Sequence, residues 1–536
     1  MKHIHLIGIG GTGLSAIAQV LLDKGHIVSG SDRAASPLFK AITAAGAKTF
    51  LGHAAENIVG ADMVIRSSAV PDDNPEVVAA LANGIPVLKR SSFLAELTEG
   101  KQTLAVAGSH GKTTTTAMLT WILDQMEQDP SFIIGGIVRG LRCNARAGSG
   151  PHFVIEADEY DNMFLGLSPT VAIITNIEYD HPDFFPTEND YDQAFVHFLH
   201  RTKPGGTALL CLDDPKTHTL YEQTTGVDFK VLGYGTSPAA DYQAVDLITQ
   251  DGLPQFTLRF KKPDGETEIL GHVKLNVPGR HNVLNATAAL AAIHQSSLSL
   301  PDAINALHSF TGTGRRFEVV GEEKGITIID DYGHHPTEIG AALEAAHARY
   351  QGRRIWAIWQ PHTYTRAQTL AESFVRVLDL ADRVIVLKIY AAREKDPGYS
   401  AENIPQALGR EKATYIPEFK DATAYLEQAL EPGDVAIVFS AGDATQISQD
   451  LVENLRRDQS NKDTRFTKAL LELKDFFGGQ MHEKASMANF TTARVGGLVP
   501  ALIEINTLDE LINASTTLWQ HELPYLVLGS GSNILV

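Results

Sequence analysis

Residues 104–118, LAVAGSHGKTTTTAM, decide how the rest of the chain is read. Leu104, Ala105, Val106 and Ala107 form a short apolar run that predicts a buried strand, and it leads straight into GSHGKT at 108–113. Helical residues are expected from Thr114 onward. Strand, glycine turn, lysine with a following hydroxyl, and helix are the parts of a loop that binds phosphate. Glycines let the backbone curl so that successive N–H groups face an anion, and the helix N-terminus adds its positive end. Lys112 offers a mobile charge to the terminal phosphates, and the Thr113 hydroxyl suits Mg²⁺, which favours hard oxygen ligands. The full spacing of such a loop has a glycine where this chain has Val106, so the loop is a shortened form beginning at Gly108. The plainer alternative is a structural strand-to-helix turn with an exposed lysine. Gly108, Gly111, Lys112 and Thr113 all fall in the right local context, which favours a nucleoside triphosphate.

Upstream, residues 1–100 alternate strand and helix. A strand at 3–7 is followed by GIGGTG at 8–13, which has the G-x-G-x-x-G spacing, and then by a helix over 14–24 with apolar residues at helical spacing. A strand at 27–30 ends in Ser31 and Asp32, and later strands are expected at 63–66 and 87–88. This is a Rossmann-like unit. Its fingerprint alone leaves three readings open: a dinucleotide, a nucleotide-sugar diphosphate, or glycines that serve only close helix–strand packing.

Downstream, a buried strand at 153–156 ends in Glu156 within the acidic run EADE, where nucleotide-binding sheets place a Mg²⁺ ligand or a water-positioning carboxylate. Another strand at 171–175 ends in NIEYDH at 176–181, at the strand edge where open α/β sheets bind substrates. A helix cap or a surface charge is the better reading of any one of these residues alone. Three strand ends converging on one chemistry weaken it. Residues 240–275 alternate apolar and polar and predict a small antiparallel addition, and GRHNVLN at 279–285 opens an alanine-rich helix ending near His294. A third α/β unit fills 314–458, with strands at 317–320, 327–329, 355–359, 383–387 and 435–439. Two of its loops concentrate polar groups, DDYGHHP at 330–336 and QPHTYTR at 360–366. Paired histidines on such a turn are as readily structural as functional in isolation, and the facing nucleotide site tips the balance to function.

At 536 residues the chain has room for about three or four domains. Hydrophobic content of 43% and charged content of 20% describe an ordinary globular protein. The two cysteines, Cys143 and Cys211, form no metal motif and no disulfide framework, which favours a reducing compartment. With no charged-then-apolar leader and no apolar run of the ~18 residues a membrane span needs, a cytoplasmic protein without membrane partners is expected. A net charge of −19 argues against nucleic-acid binding. Residues 457–465, RDQSNKDTR, show no periodicity and read as a linker. The segment beyond it contains NFTTARVGG at 489–497, an expected helix at 508–519, and an expected strand at 525–528 leading into GSGSN.

Together these stretches resemble the Mur ligase family over residues 1–458. The motifs that carry the resemblance are GIGGTGLS with GSD, AGSHGKTTTT, EADEYDNMFL, TNIEYDHPD, GRHNVLNA, GRRFEV, IDDYGHHPTEI, WQPHTYTR and REKDPG. The resemblance implies a three-domain α/β protein: a Rossmann-like UDP-sugar domain at 1–100, a central P-loop ATPase domain at 101–313 and a C-terminal Rossmann-like ligase domain at 314–458. The linker is then 459–466. It also implies the reaction, ATP-dependent joining of L-alanine to UDP-N-acetylmuramate through an acyl phosphate in peptidoglycan precursor synthesis. A relative that attaches a whole peptide to the same sugar is the nearest alternative.

By the same resemblance, Gly108, Ser109, His110, Gly111, Lys112, Thr113 and Thr114 hold ATP together with Asn282, Asn285, Arg316 and Asp331. Thr113, Glu156 and His181 are the implied Mg²⁺ ligands. Gly10, Gly11, Thr12, Gly13, Asp32, Ser67 and His334 are assigned to the UDP-sugar, and Lys112, Glu156, His181, His335 and Arg366 to catalysis. Many relatives have a second arginine where this chain has Thr363, which leaves Arg366 as the only guanidinium of that loop. TTARVGG at 491–497 and LGSGSNILV at 528–536 are similar to the opening of flavin-dependent UDP-N-acetylenolpyruvoylglucosamine reductases. That implies a truncated α+β FAD-binding segment at 467–536, too short to be expected to hold FAD. A nicotinamide dehydrogenase accounts for residues 1–32 but leaves Lys112, Thr113 and Glu156 without a task, and a non-catalytic nucleotide-binding regulator is the third possibility.

Overall fold

The structure, a computed structural model, describes residues 1–182, 184–262, 264–392, 394–487 and 498–528, with backbone only over 458–464. Two compact units divide the chain. The first comprises Met1–Val319, Ile329–Glu418 and Asp434–Thr445; the second comprises Val320–Ile328, Phe419–Gly433 and Gln446–Val536.

In the first unit, strands β1 (His3–Ile7), β2 (Ile27–Asp32), β3 (Lys48–Leu51), β4 (Met63–Arg66) and β5 (Val87–Lys89) form a parallel sheet of order β3-β2-β1-β4-β5. The order reverses between β1 and β4, and an open α/β sheet leaves a crevice at such a switch point. The glycine turn follows β1, and Ser67 follows β4 with its N–H donating to the Ile7 carbonyl at 3.1 Å.

The second sheet has ten strands: β6 (Gln102–Ala107), β7 (Ser131–Val138), β8 (Cys143–Arg146), β9 (His152–Glu156), β10 (Val171–Ile174), β11 (Thr207–Cys211), β12 (Lys230–Gly235), β13 (Tyr242–Gln250), β14 (Leu253–Lys261) and β15 (Thr267–Lys274). Their order is β15-β14-β13-β12-β11-β10-β6-β9-β7-β8, with β13, β14 and β15 antiparallel as the alternation at 240–275 predicts. The apolar run of β6 needs no polar face because both faces are covered. Ala105 and Ala107 join one core with Ile155, Ala172 and Ile174, whereas Leu104 and Val106 join the opposite core with Val154, Val171 and Ile173. The second core is closed by helix His281–Gln295, whose alanines at 286, 288, 289, 291 and 292 are buried and let it lie close against helix Lys112–Gln125.

A third set of strands follows: β16 (Glu318–Glu323), β17 (Ile326–Asp331), β18 (Ile355–Trp359), β19 (Arg383–Val386), β20 (Ala413–Tyr415) and β21 (Val435–Phe439). Here β18 pairs in parallel with β19 and β21, and β20 pairs with β19. This three-part α/β architecture agrees with the fold class expected from the sequence.

Several expectations need correction. The helix after the glycine turn starts at Lys112 rather than Thr114, because Gly111, at φ +83°, is the last non-helical residue. The expected linker is helical: residues 457–465 lie within one helix, Thr445–Phe477. No glycine or proline interrupts that stretch, so nothing in it breaks the helix. It stops at Gly478, φ +48°. Residues 525–528 form no strand among the described residues. The segment does contain helix Leu508–Gln520, a two-stranded antiparallel pair Met481–Ser486 with Leu498–Ile503, and a small core of Leu473, Phe477 and Ala514. The flavin-like motifs at 491–497 and 529–536 lie outside the described residues.

Phe164 packs face to face with Phe198 (ring centroids 4.8 Å apart) and edge-on to Phe195 (5.4 Å), and all three are fully buried. Phe164→Ala should therefore cost about 3–5 kcal/mol in urea unfolding. A loss of less than about 1 kcal/mol would mean this core can collapse around the gap.

Candidate functional site

Gly108 (φ +133°) and Gly111 (φ +83°) turn the backbone between β6 and helix Lys112–Gln125. No side chain caps that helix and no acidic residue stands in its first turn. Its first N–H groups and its positive end are thus left for an anion. A β-carbon on Gly111 would come within 2.7 Å of the Asn285 amide oxygen, so the loop lies directly on helix His281–Gln295. Thr115 donates to that same oxygen at 3.2 Å, and Asn285 donates to Asn282 at 3.0 Å. His110, Gly111, Thr113, Thr114, Asn282, Asn285, Arg316 and Asp331, all expected at the nucleotide, line one cavity of about 850 Å³. Gly108, Ser109 and Lys112 belong to the loop without lining that cavity.

Thr113 and Glu156 meet, with the hydroxyl donating to Oε1 at 3.0 Å while Oε2 accepts the Gly135 N–H at 2.7 Å. A hydroxyl and a carboxylate at this separation fit a hard cation such as Mg²⁺. Lys112 is buried against Glu159, with Nζ 2.9 Å from Oε2. Burial opposes charge on this lysine, but Glu159, Asp158 and Glu156 outweigh it and raise its pKa. His181 lies on the other side of Glu159, 3.7 Å from Oε1, and packs edge-on against Tyr160. Glu159 therefore joins Lys112 to His181, a part the sequence reading did not assign.

On the third-domain side, Arg316 donates to Glu338 at 3.1 Å and lies over the Tyr332 ring. Asp331 accepts the Phe317 and Gly333 N–H groups at 2.7 Å each, and burial pushes its pKa up to about 6 despite Arg316. His335 caps helix Pro336–Arg349, accepting the Thr337 N–H at its Nδ1, and Glu338 completes the reciprocal cap. Burial lowers the pKa of His335 and brings that of His334 to about 3, so both rings are neutral. Arg366 is committed to Asp180, Nη2 to Oδ1 at 2.5 Å, and also donates to His362 Nδ1 at 2.9 Å. Burial works against the Asp180 charge, but the Arg366 guanidinium outweighs it and holds the carboxyl far below the usual range.

The residues assigned to the UDP-sugar divide. Gly10 donates to Asp32 Oδ2 at 2.9 Å, so this carboxylate braces the glycine turn. A β-carbon on Gly8 would lie 3.2 Å from that of Ser67, and one on Gly13 would strike Arg90. Gly10, Gly11, Thr12, Gly13, Asp32 and Ser67 thus gather at the β1/β4 switch point. His334 does not join them; its partners are Tyr332, Glu338 and His362.

Four acidic residues carry this geometry and were not singled out from the sequence: Glu159, Glu178, Asp180 and Glu338. Only Glu338 left a local signal, three residues past a helix cap. Among the described residues, His110, Glu178 and His335 place one potential ligand atom each within 4.8 Å of one another. The rings are spent otherwise, His110 on two carboxylates and His335 on the Thr337 N–H, whereas a metal needs free deprotonated nitrogens.

Comparison with known proteins agrees with this layout. Family models described as "Mur ligase family, catalytic domain", "Mur ligase middle domain" and "Mur ligase, glutamate ligase domain" match residues 3–102, 106–293 and 315–442. The chain belongs to the Mur ligase family. It is similar to the UDP-N-acetylmuramate–L-alanine ligase of Syntrophus aciditrophicus, at 42% identity over 467 residues, which is 86% of this chain and 95% of the relative. The enzyme of that name from Nitratidesulfovibrio vulgaris strain DP4 is 40% identical over 84% of this chain and 98% of its own length. Among solved structures, the UDP-N-acetylmuramate-alanine ligase MurC of Thermotoga maritima superimposes with a TM-score of 0.71 at 29% identity, covering 85% of this chain and all of that one. A murein peptide ligase of Psychrobacter arcticus gives 0.61 at 27% identity, covering 85% and 99%. Among the described residues no helix is long and apolar enough to cross a membrane. The Mur ligase match ends at residue 442, before the second unit's hairpin and last helix.

Both members of the Asp180–Arg366 pair are nearly buried, so removing one strands the other. Asp180→Asn should destabilise the protein by about 3–5 kcal/mol at pH 7. Because the folded pKa is depressed, the pair's contribution is present above the unfolded value of ~3.9 and is lost as pH falls below it. Chemical denaturation at pH 7 and pH 3 should show the gap between variant and wild type narrowing only at the lower pH. A gap that is absent at pH 7 would contradict the pairing.

Proposed function

We propose that this chain is an ATP-dependent ligase that joins L-alanine to UDP-N-acetylmuramate, giving UDP-N-acetylmuramoyl-L-alanine, ADP and phosphate. The observation that carries this reading is one cavity in which Thr113, Asn282 and Asn285, on helices of the central domain, face Arg316 and Asp331 of the third. The named relatives support the choice of substrates.

A carboxylate is a poor acylating agent. An oxygen of the sugar's lactyl carboxylate attacks the ATP γ-phosphorus and ADP leaves. The amine of L-alanine then attacks the acyl carbon, the carbon–oxygen bond breaks, and phosphate departs with the former carboxylate oxygen. The first step needs charge neutralisation rather than covalent help. Lys112, held protonated by Glu159, and the uncapped N–H groups of its helix supply it. Mg²⁺, when bound, would be held by Thr113 and Glu156 and would neutralise phosphate charge; His181 is proposed as a ligand of a second ion. Asn282 and Asn285 are assigned to the adenine end, and Arg316 and Asp331 to the nucleotide from the third domain. Gly10, Gly11, Thr12 and Gly13 take the UDP diphosphate at the switch point, with Asp32 and Ser67 shaping the turn. His334, His335 and Arg366 are assigned to the acid arm of the sugar and to the amino acid.

The domain limits 1–100, 101–313 and 314–458, and action in the cytoplasm, belong to the same proposal. Residues 467–536 are proposed as a segment resembling a reductase's FAD-binding type, joined to the ligase by 459–466, not expected to hold FAD and without a part in ligation. Deletion after Asp458 should keep ligase turnover. A purified protein with a flavin absorbance band, or lost turnover on deletion, would make the segment a working part.

ATP turnover in the presence of UDP-N-acetylmuramate should depend on the amine offered, with L-alanine ahead of glycine and L-serine and a tripeptide inactive. Preference for the tripeptide would replace this reading with a peptide ligase, and no amine-dependent turnover would overturn it. Lys112→Ala should lower turnover by ~10²–10³, the loss typical of removing one stabilising donor. Near wild-type rates in that variant would remove the loop from the chemistry.

A further inference from the structure

His110 sits inside the phosphate loop, yet both of its ring nitrogens face carboxylates. Nε2 is 2.7 Å from Glu178 Oε2, and Nδ1 is 3.4 Å from Glu338 Oε1. A carboxylate only accepts hydrogen bonds, and a neutral imidazole has a single N–H. A ring protonated on both nitrogens answers both carboxylates, by a hydrogen bond to Glu178 and by charge alone to Glu338, since Nδ1 makes no hydrogen bond among the described residues. Glu178 comes from the loop after β10, in the same domain as His110. Glu338 comes from helix Pro336–Arg349 of the third domain. We propose that Glu178 and Glu338 hold His110 as an imidazolium, and that this charged bridge fastens the third domain to the phosphate loop and positions the loop for ATP.

The surroundings are built for that charge. Glu338 is itself held by Arg316 at 3.1 Å and accepts the His334 N–H at 3.1 Å. Glu178 accepts the Thr337 hydroxyl at 2.9 Å, a second tie between central loop and third domain. The chain Arg316, Glu338, His110, Glu178 thus alternates in sign. An aromatic neighbour, His335, packs on His110 at a centroid distance of 4.9 Å. It is neutral, so it adds no like charge beside the bridge. His281 is also neutral, its pKa brought to about 4 by burial and Arg316. Burial opposes charge on His110, but Glu178 and Glu338 outweigh it and lift its pKa to about 9. Since the folded value lies above the unfolded one, the bridge is complete below about 6.5 and is lost as pH rises through about 9. His110, Glu178 and Glu338 all line the nucleotide cavity, so loosening the bridge acts first on ATP. Glu178 and Glu338 are positioning residues here, acting through His110.

The inference rests on the ligase reading, and two measurements keep the two apart. Carbon-13 NMR of histidine-labelled full-length protein, with the His110 signal assigned by its loss in His110→Gln, needs no turnover. It should show an imidazolium through pH 8 that titrates near 9, and in Glu178→Gln the titration should fall by at least about one pH unit. In steady-state kinetics, the KM for ATP should rise about tenfold for each pH unit above that titration, earlier in Glu178→Gln and Glu338→Gln than in wild type. The kcat at saturating ATP should change little. A His110 titration near 6.5 in the wild type would overturn the proposal, as would superimposable KM–pH profiles for all three proteins. Absence of any turnover would count against the ligase reading and leave the NMR arm to decide the bridge.

Discussion

The ion pair of Lys112 with Glu159 is the constraint on which the rest of the site depends. A half-buried lysine at the head of the helix that follows a buried parallel strand is costly unless a carboxylate is brought to it, and a buried carboxylate is costly unless it meets a cation. Each makes the other tolerable, and the pairing fixes the loop after β9 against the loop after β6. Glu159 then reaches His181, and Asp180 beside it reaches Arg366. A line of ionisable side chains therefore runs from the phosphate loop into the third domain. The low dielectric that makes these charges expensive also makes them effective on a transferring phosphoryl group, because they need no reorganisation when the reaction begins.

The fold serves that line of side chains. Three sheets each present the ends of parallel strands to ligands: the turn after β1, the loops after β6, β9 and β10, and the turns after β17 and β18. The β-strands at the centre of the second sheet are buried on both faces, so their ends are held by two cores at once. Loops anchored in this way can carry strained backbone, as His181 (φ +57°) and Thr363 (φ +53°) do.

Much of this was legible in the chain. The apolar run at 104–107 and the glycines after it announced strand, turn and helix, and Thr113 and Glu156, grouped by the family resemblance, stand within hydrogen-bond distance. What stayed hidden was the role of Glu178, Asp180 and Glu338. Their partners stand far away along the sequence: Thr337 is 159 residues from Glu178, and Arg366 is 186 from Asp180. No local pattern reports such a contact. Asp32 was read toward the ligand when its nearest task is to brace Gly10, since a carboxylate beside a glycine turn suits either. The polar stretch at 457–465 looked like a linker because it has no apolar periodicity, yet it contains no glycine or proline to break a helix.

The central claim is that the phosphate loop activates a sugar carboxylate by phosphorylating it. Oxygen transfer tests this most directly. With UDP-N-acetylmuramate labelled with oxygen-18 in both carboxylate positions, ATP and L-alanine, the phosphate released should carry one oxygen-18 atom when read by mass spectrometry. Unlabelled phosphate from a reaction that still forms the amide would contradict the acyl-phosphate route and the role given to Lys112.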